Sequence, residues 1–422
     1  MNRKFFLLLY FFLVFLSQAT ARVQDSTFQR LNSFIQQKNF FKATEMYEAE
    51  KAKLSGVQQK LVEVYLDNAF NRFEVSNFKI NRLLNTDIKL PDSTRLKLYK
   101  TKADNAIKLF EYKTAAQAFS FILHTYPKML TEEEKKGMEN ALTIWTTLSD
   151  VPKQSVVAEG ETMLKMHKDK AGLNNLNISA NLDSLYFIFD TGANLSAISE
   201  SMAQKMNMYI FPASIKVTSI TGEKVSAKLA VCTKLKFGNI QIANVVFLVF
   251  PDKALFVPSI DYQINGILGY PVIQSLKEVQ ITQDGYFIVP QKETIVKYKP
   301  NMAMNGLMPL LYINGMHFSF DTGAEETLLY AAYYHKYRDV IERDYKPVKV
   351  AFAGLGGKKI YDGYIIRLSL SLFNKDVVLE NINLLKETIK TDETVYGNIG
   401  QDLIKKFNKM TINFQKMVIR FE

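Results

Sequence analysis

Residues 185–198 read Leu-Tyr-Phe-Ile-Phe-Asp-Thr-Gly-Ala-Asn-Leu-Ser-Ala-Ile, and residues 316–329 read Met-His-Phe-Ser-Phe-Asp-Thr-Gly-Ala-Glu-Glu-Thr-Leu-Leu. Each copy is an apolar strand signal that ends in one carboxylate and a tight Thr-Gly turn. A glycine follows each aspartate at the same distance, since Asp190 to Gly269 and Asp321 to Gly400 both span 79 positions. One Asp-Thr-Gly is an ordinary turn, but two copies in register indicate an internal duplication.

At these residues the chain resembles the aspartic proteases, and more narrowly the retropepsin-like ones, over about residues 170–422. In that family an Asp-Thr/Ser-Gly-Ala turn is followed by a glycine-bearing flap. Two apolar residues and a glycine that opens a helix come next. The resemblance implies two all-β acid-protease lobes, residues 151–298 and 299–422, with the active site between them. Helices are expected mainly after the second glycine of each repeat.

The resemblance also implies the roles of the matching residues. Asp190 and Asp321 would be the catalytic pair, in which the ionised carboxylate takes a proton from water and the protonated one hydrogen-bonds the substrate carbonyl. Because such a pair titrates as a unit, the sequence does not say which aspartate holds the proton. The supporting positions, where threonines cross-link the lobes and glycines admit close backbone approach, are Thr191, Gly192, Ala193, Gly269, Thr322, Gly323, Ala324 and Gly400.

Two glycine-containing stretches stand where substrate-covering flaps are expected. Gly222 and Gly354 lie 32 and 33 positions after the motif aspartates, and each stretch joins two strand-like runs. A lid over an extended peptide would use such a hairpin, and a plain hairpin turn explains either stretch equally well. Glu325 is the expected contact to the substrate backbone, because the retroviral enzymes carry an acid there. The first motif has Asn194 at that place, so the cleft should be asymmetric.

The region before the lobes, residues 22–150, has helical periodicity instead. Thr131 and Glu134 form a capping box for its last helix, and the stretch 115–127 loosely resembles the second helix of a tetratricopeptide-type repeat. An array of this kind offers a surface for a protein partner, and an irregular helical domain packed against the lobes fits equally well. Residues 148–165, with Pro152 and Gly160, are the expected boundary. The predicted fold class is therefore multidomain α+β, an all-α array followed by two all-β lobes.

The first 21 residues have the organisation of an export signal peptide. Basic residues at 3 and 4 precede an apolar run from Phe5 to Leu16, and the small-x-small pattern that follows favours cleavage after Ala21. As a helix the run would span about 18 Å, short of the roughly 30 Å hydrocarbon core, so no transmembrane anchor should remain after cleavage. We expect the mature chain to be periplasmic or secreted, and its single cysteine, Cys232, excludes an internal disulfide.

The charge and the histidine spacing of the sequence argue against other classes of function. The formal charge is +11, but the basic residues are scattered among acids, which favours a mildly basic surface over a nucleic-acid-binding patch. The four histidines have no metal-site spacing, and neither a metal nor a cofactor is implied. The sequence thus predicts an exported aspartic endopeptidase that acts on polypeptides and for which a monomer suffices. Two alternatives remain: a catalytically silent peptide-binding protein, and a helical adaptor whose lobes only stabilise or regulate.

Overall fold

The computed structural model describes eight stretches of the chain. They are residues 26–86, 89–181, 183–218, 224–294, 299–354, 357–372, 375–389 and 394–422. The export signal expected at residues 1–21 and the flap residue Gly222 lie outside them. The chain divides into two compact units, Met1–Pro91 and Asp92–Glu422. The division comes well ahead of the boundary expected near residue 150.

The described part of the first unit is helical. Its helices are α1 (26–36), α2 (Phe40–Glu50), α3 (Gly56–Ala69) and α4 (Phe73–Leu84). Helix α3 begins with a reciprocal capping box, in which Ser55 and Gln58 each accept a backbone N–H from the other. Successive helices α2 to α4 pack on one another, and their apolar faces bury Val62, Val64 and Ile80 completely.

The second unit opens with three helices, α5 (Asp92–Lys108), α6 (Tyr112–Thr125) and α7 (Glu132–Thr147). The capping box predicted at Thr131 and Glu134 is confirmed. Tyr112 stacks on Trp145 with ring centroids 5.6 Å apart. The two rings belong to an apolar cluster that includes Ile215 and other strand residues. These helices therefore share a core with the β-structure that follows.

Most of the rest of the second unit is β-structure. The strands of its first half are β1 (Ser155–Ala158), β2 (Thr162–Lys165), β3 (His167–Lys168), β4 (Asn174–Ala180), β5 (Asp183–Phe189), β6 (Ser196–Ser199), β7 (Tyr209–Thr218), β8 (Lys224–Phe237), β9 (Ile240–Phe250), β10 (Phe256–Val257), β11 (Tyr262–Gln263), β12 (Gly266–Leu268), β13 (Glu278–Thr282) and β14 (Tyr286–Val289). Those of its second half are β15 (Met302–Asn305), β16 (Met308–Ile313), β17 (Met316–Phe320), β18 (Leu328–Leu329), β19 (Pro347–Gly354), β20 (Gly357–Leu372), β21 (Lys375–Leu385), β22 (Gly397–Ile399), β23 (Lys409–Asn413) and β24 (Val418–Phe421).

Two large sheets repeat one strand order around the duplicated motif. In the first sheet, β5 pairs in parallel with β12, β12 antiparallel with β6, and β6 in parallel with β9. In the second sheet, β17, β22, β18 and β21 follow each other with the same orientations. A third sheet combines strands of both halves through the antiparallel pair β13 and β23. The duplication seen in the sequence is therefore a duplication of topology.

Short helices punctuate both halves. They are α8 (Glu200–Lys205), α9 (Tyr270–Ser275), α10 (Ala331–Asp344) and α11 (Gln401–Ile404), with 3-10 turns at Asp252–Leu255 and Pro258–Ile260. Two further 3-10 turns, Lys51–Lys53 and Pro127–Met129, lie among the helices that precede the strands. The helices expected after Gly269 and Gly400 are α9 and α11. Helices α8 and α10 were not expected; each begins ten residues after its motif aspartate. The apolar signal of α10 is weak, because its buried residues are only Ala331, Tyr334 and Ile341.

The stretch expected to be a boundary, residues 148–165, contains strands. Strand β1 pairs with β9 in the first sheet, and β2 pairs with β14 in the third. Each of the two strands has only four residues, and their mixed polarity gives a weak strand signal. Among the described residues, no helix has the length and apolarity required to cross a bilayer.

Helix α7 covers the outer edge of the first sheet. Strand β7 is the edge strand, and edge strands expose unpaired backbone groups. The side chain of Asn140 pairs with one residue of that edge: its Nδ2 donates to the carbonyl of Lys216, and its Oδ1 accepts the N–H of Lys216, both at 2.9 Å. The side chain of Asn140 thus pairs with Lys216 as a residue of a neighbouring strand would. Lys216 lies two positions before the end of β7.

We expect Asn140→Leu to loosen this edge. Loss of two partly exposed hydrogen bonds should cost about 1–2 kcal/mol locally, which would speed hydrogen exchange at the Lys216 amide by about tenfold. The control is Thr143→Ala on the same helix, because the Thr143 hydroxyl donates only to the carbonyl of Glu139 in its own helix. Unchanged protection of Lys216 in Asn140→Leu would contradict the prediction.

Candidate active site

The two motif turns hold their aspartates in closely similar ways. Oδ1 of Asp190 accepts the backbone N–H groups of Gly192 at 2.7 Å and Ala193 at 3.0 Å. Oδ1 of Asp321 accepts the N–H of Gly323 at 2.8 Å. Each carboxylate is therefore fixed by its own turn, immediately after the central strand β5 or β17 has ended.

The same turns bring the two carboxyl groups together. A Cβ atom added to Gly192 would lie 2.5 Å from Cγ of Asp321, and one added to Gly323 would lie 2.3 Å from Cγ of Asp190. Each glycine thus leaves the space that the opposite carboxyl group occupies. The structure places all four residues at one point between the first and second sheets.

The motif threonines cross-link the two turns. Thr191 Oγ1 donates to the carbonyl of Phe320 at 2.9 Å and accepts the N–H of Thr322 at 3.0 Å. Thr322 Oγ1 donates to the carbonyl of Phe189 at 2.8 Å and accepts the N–H of Thr191 at 3.1 Å. Both threonines are buried. Four hydrogen bonds with no water access make the spacing of the two turns rigid.

The two later glycines lie directly behind the motif turns. A Cβ at Gly269 would lie 2.5 Å from the carbonyl carbon of Leu195, and one at Gly400 would lie 2.7 Å from that of Glu326. Both neighbours are backbone atoms, which cannot move aside as a flexible side chain can. The chain therefore passes behind each turn at a distance that only glycine permits.

Helices α9 and α11 then cap the turns from behind. The N–H of Tyr270 donates to the carbonyl of Ala193 at 2.8 Å, and the N–H of Gln401 donates to the carbonyl of Ala324 at 2.9 Å. These donors belong to the first helical turn, where backbone N–H groups have no partner inside the helix. The two alanines are thus held by backbone contacts that are equivalent in the two halves.

Burial and charge raise the pKa of Asp190 well above its ordinary value. Removal from water is the largest cause, and the charge of Asp321 and a hydrogen bond with that residue add to it. The N–H groups of Gly192 and Ala193 act in the opposite direction. A hydrogen bond between two carboxyl groups requires a proton on one of them, so the two carboxyl groups favour a state in which one of them is protonated.

We expect Asp190→Asn to raise the unfolding temperature relative to the native chain, by a margin that grows from pH 4 to pH 8. Because folding raises the pKa of Asp190, its contribution to stability is full below the ordinary value of about 3.9 and is lost as the pH rises through the folded value. Asparagine is neutral throughout and removes that loss. Calorimetric unfolding across this pH range measures the difference.

Asp252→Asn is the matched control, with the opposite sign. The N–H of Ser201 lowers the pKa of Asp252, so that carboxylate contributes stability above its ordinary value and loses it as the pH falls. The Asp252→Asn chain should be the less stable one at pH 7, and the difference should shrink toward pH 3. An offset for Asp190→Asn that does not vary with pH would contradict the prediction.

The flap candidates follow the last described pairs of two sets of long antiparallel strands. Strands β7 and β8 pair up to Thr218 and Lys224, and residues 219–223, which include Gly222, lie outside the described part of the chain. Strands β19 and β20 pair up to Gly354 and Gly357, and residues 355–356 lie outside it as well. Both stretches therefore join antiparallel strands, as the sequence indicated.

Glu325 lies just beyond the second turn and is half-exposed. Its Oε1 is 3.8 Å from Nζ of Lys405, and a Cβ on Gly172 would lie 2.9 Å from the same oxygen. The carboxylate is thus close to the turn that joins β3 and β4. The contact between the Glu325 carboxylate and Lys405 is too long for a tight ion pair, so a peptide backbone N–H could compete for this carboxylate.

Two polar residues beside the carboxylates were missed by the sequence reasoning. Nδ2 of Asn398 donates to Oδ2 of Asp321 at 3.0 Å, and Ser319 Oγ donates to Oδ1 of Asn398 at 2.6 Å. A difference between the two repeats of the sequence indicated these two residues. Aligning the repeats on their aspartates and glycines sets Ser319 against Ile188 and Asn398 against Ile267.

The histidine and cysteine side chains lie either in the packed interior or on the surface. His317 is buried in β17 and its ring meets Tyr396 edge-on, with centroids 5.8 Å apart, whereas His167 is exposed. Cys232 is buried in β8, and burial raises its pKa to about 11. Within the described residues, no group of three or more His, Cys, Asp or Glu side chains is arranged to hold a metal ion.

Comparison with known proteins gives one family match. The aspartyl protease family model matches residues 177–272, a span that contains the first Asp-Thr-Gly turn and Gly269. No curated protein matches the chain. Among solved structures, basic 7S globulin from soybean is similar at 12% identity and a TM-score of 0.38, over 62% of this chain and 94% of that one.

Proposed function

We propose that this chain is an exported aspartic endopeptidase with two retropepsin-like lobes, and that Asp190 and Asp321 are its catalytic pair. One observation carries the proposal: two aspartates from duplicated turns meet at a buried junction that is cross-linked by threonines, where burial and the neighbouring carboxylate raise the pKa of Asp190. Two acids in contact lower stability unless they share a proton, so a protein that only bound peptides would gain nothing from keeping both. The match of residues 177–272 to aspartyl proteases supports the same reaction class.

The pair supplies an acid and a base for amide hydrolysis. The ionised carboxylate takes a proton from water as the water oxygen bonds to the substrate carbonyl carbon, and the protonated carboxyl group gives its proton to the carbonyl oxygen. A tetrahedral diol results, and the carboxylate pair now holds the proton that came from water. This proton is then transferred to the amide nitrogen, while a hydroxyl group of the diol returns its proton to the other carboxylate. The carbon–nitrogen bond breaks, an amine and a carboxylic acid are released, and the pair again holds one proton.

The remaining roles extend the proposal to the rest of the chain. The stretch between β7 and β8, which contains Gly222 in the sequence, and the stretch that begins at Gly354 would cover an extended peptide, and Glu325 would bind the peptide backbone. Both aspartates belong to one chain, so a monomer is sufficient. The helices before residue 150, which we regard as tetratricopeptide-like, would offer a protein-binding surface. Removal of residues 1–21 would release the enzyme to the periplasm or the exterior.

The direct test is cleavage of an unstructured peptide library by the purified chain from residue 22 onward, at pH values from 3 to 8. Mass spectrometry of the products identifies new amino and carboxyl termini and so the cleavage preference. We expect a bell-shaped dependence of the rate on pH, since only the singly protonated pair is active. Peptide binding without new termini at any pH would favour the catalytically silent alternative.

A further inference from the structure

The two halves of the site differ at one pair of positions beside the carboxylates. In the first half, Ile188 of β5 pairs with Ile267 of β12. In the second half, the equivalent strands pair Ser319 with Asn398. Both pairs lie two positions before their aspartate and their glycine, so the comparison is like for like. The second half therefore has two polar side chains where the first half has two apolar ones.

These two polar side chains form a relay that ends at a carboxylate. Ser319 Oγ donates to Oδ1 of Asn398 at 2.6 Å, with the carbonyl of Gly397 as a second acceptor at 3.2 Å. Nδ2 of Asn398 then donates to Oδ2 of Asp321 at 3.0 Å. Ser319 and Asn398 are each only 6% exposed. A buried amide that is bonded at both ends keeps one orientation, so Asn398 presents its N–H to Asp321 permanently.

The donors are distributed differently on the two aspartates. Both backbone N–H donors of Asp190 reach Oδ1, whereas the donors of Asp321 are divided between Oδ1 and Oδ2. A proton on Oδ2 of Asp190 leaves both of its N–H contacts intact. A proton on either oxygen of Asp321 would weaken an N–H contact to that oxygen, because a donor stabilises the charged form of an acceptor.

We propose that Asn398, oriented by Ser319, is a positioning residue that keeps Asp321 ionised and leaves the shared proton on Asp190. Asp321 is then the base that takes the proton of water, and Asp190 is the acid that protonates the substrate carbonyl. This assignment rests on the proposed peptidase function. The direction of the Asp190 pKa agrees with it.

Other ionisable groups surround the relay, and the test must separate them from Asn398. Asp190 faces Asp321 from the opposite turn. His317 lies two residues before Ser319, on the same face of β17. Tyr396 is the residue directly before β22. The turn itself continues into Glu325 and Glu326, and Asp402 on α11 binds the hydroxyl of Thr327. Replacing Asn398 leaves all of them in place, so a change in proton affinity would report the lost amide.

The test compares pH profiles of kcat and kcat/KM for the native chain, Asn398→Leu and Ser319→Ala. Without the amide donor, the pair should accept its second proton at a higher pH, so the acid limb of both profiles should move up by about one pH unit. Ser319→Ala should move it in the same direction by less, because the amide remains but is no longer oriented. Ile267→Leu, at the equivalent place in the first half, should leave the acid limb where it is.

A second readout does not depend on activity. With the aspartate carboxyl carbons labelled with ¹³C, NMR titration follows the protonation of Asp190 and Asp321 directly, with Asp190→Asn and Asp321→Asn to assign the two signals. If the native chain cleaves no peptide, the peptidase proposal fails and the titration still decides the role of Asn398. Acid limbs and carboxyl titrations of Asn398→Leu that superimpose on the native ones overturn the inference. If Asn398→Leu does not fold, the same comparison on Ser319→Ala decides.

Discussion

Asp190→Asn and Asp321→Asn should each lower peptide cleavage by about 10³-fold or more while the protein remains folded. Each substitution keeps the shape of the side chain and removes one of the two acid–base groups, and positioned acid–base catalysis contributes about 10²–10⁴-fold on its own. The two losses should not add, because the pair works as a unit: the double variant should be about as slow as either single one. Initial rates on a peptide found in the library screen, at the optimum pH of the native chain, measure the effect.

Asp376→Asn is the control for these two variants. Asp376 is exposed on β21 and accepts a hydrogen bond from the Ser371 hydroxyl at 2.6 Å, away from the motif turns. Its replacement should leave the rate within about twofold of the native value. Unfolding temperatures near or above the native one show that the dyad variants are folded. If either dyad variant cleaves at the native rate, the two aspartates are not the catalytic pair.

Gly192→Ala and Gly323→Ala should also abolish most activity, although neither changes an ionisable group. The added Cβ would lie 2.5 Å from Cγ of Asp321 or 2.3 Å from Cγ of Asp190, so the opposite carboxyl group must move. A displacement on the order of 1 Å at reacting groups can cost about 10²-fold in rate. The threonine cross-links that hold the turns together resist this movement, so a loss of stability should accompany the loss of activity.

Gly137→Ala is the matched control for the two glycine variants. Gly137 lies within α7, and a Cβ there meets no atom within 4 Å. Alanine is the better helix former by about 1 kcal/mol, so this variant should be slightly more stable and fully active. Rates and unfolding temperatures of the three variants separate crowding of the dyad from a general effect of replacing glycine. Native activity in Gly323→Ala would show that the turns do not hold the carboxyl groups in contact.

Much of the fold could be predicted because its signals are local. The alternation of apolar residues predicted the central strands β5 and β17, and the second glycine of each repeat, Gly269 or Gly400, marked the starts of α9 and α11. The capping box at Thr131 could be read from two residues three positions apart. The equal spacing of the repeats, 79 positions in each, extended these local signals to a duplicated topology.

What was missed depends on contacts between distant residues. Short strands such as β1 and β2 exist because partner strands β9 and β14 pair with them, and their own polarity gives little indication. Helices α5 to α7 share an apolar core with the first sheet, through Trp145 and its neighbours, and belong to the same compact unit as that sheet. The pairing of Asn140 with the edge of β7 joins residues 76 positions apart.

The two aspartates, each in its own glycine turn at the end of an apolar strand, could be identified from the sequence, because turn chemistry and strand period depend on neighbouring residues. The difference between the surroundings of the two aspartates arises only when the chain folds. Oδ2 of Asp321 accepts a hydrogen bond from the side-chain amide of Asn398, which lies 77 positions away along the chain. Parallel pairing of β17 and β22 brings that amide to the carboxylate. Proton affinity is set by burial and by the donors that folding brings to each oxygen, and these arise from long-range packing that no local pattern encodes.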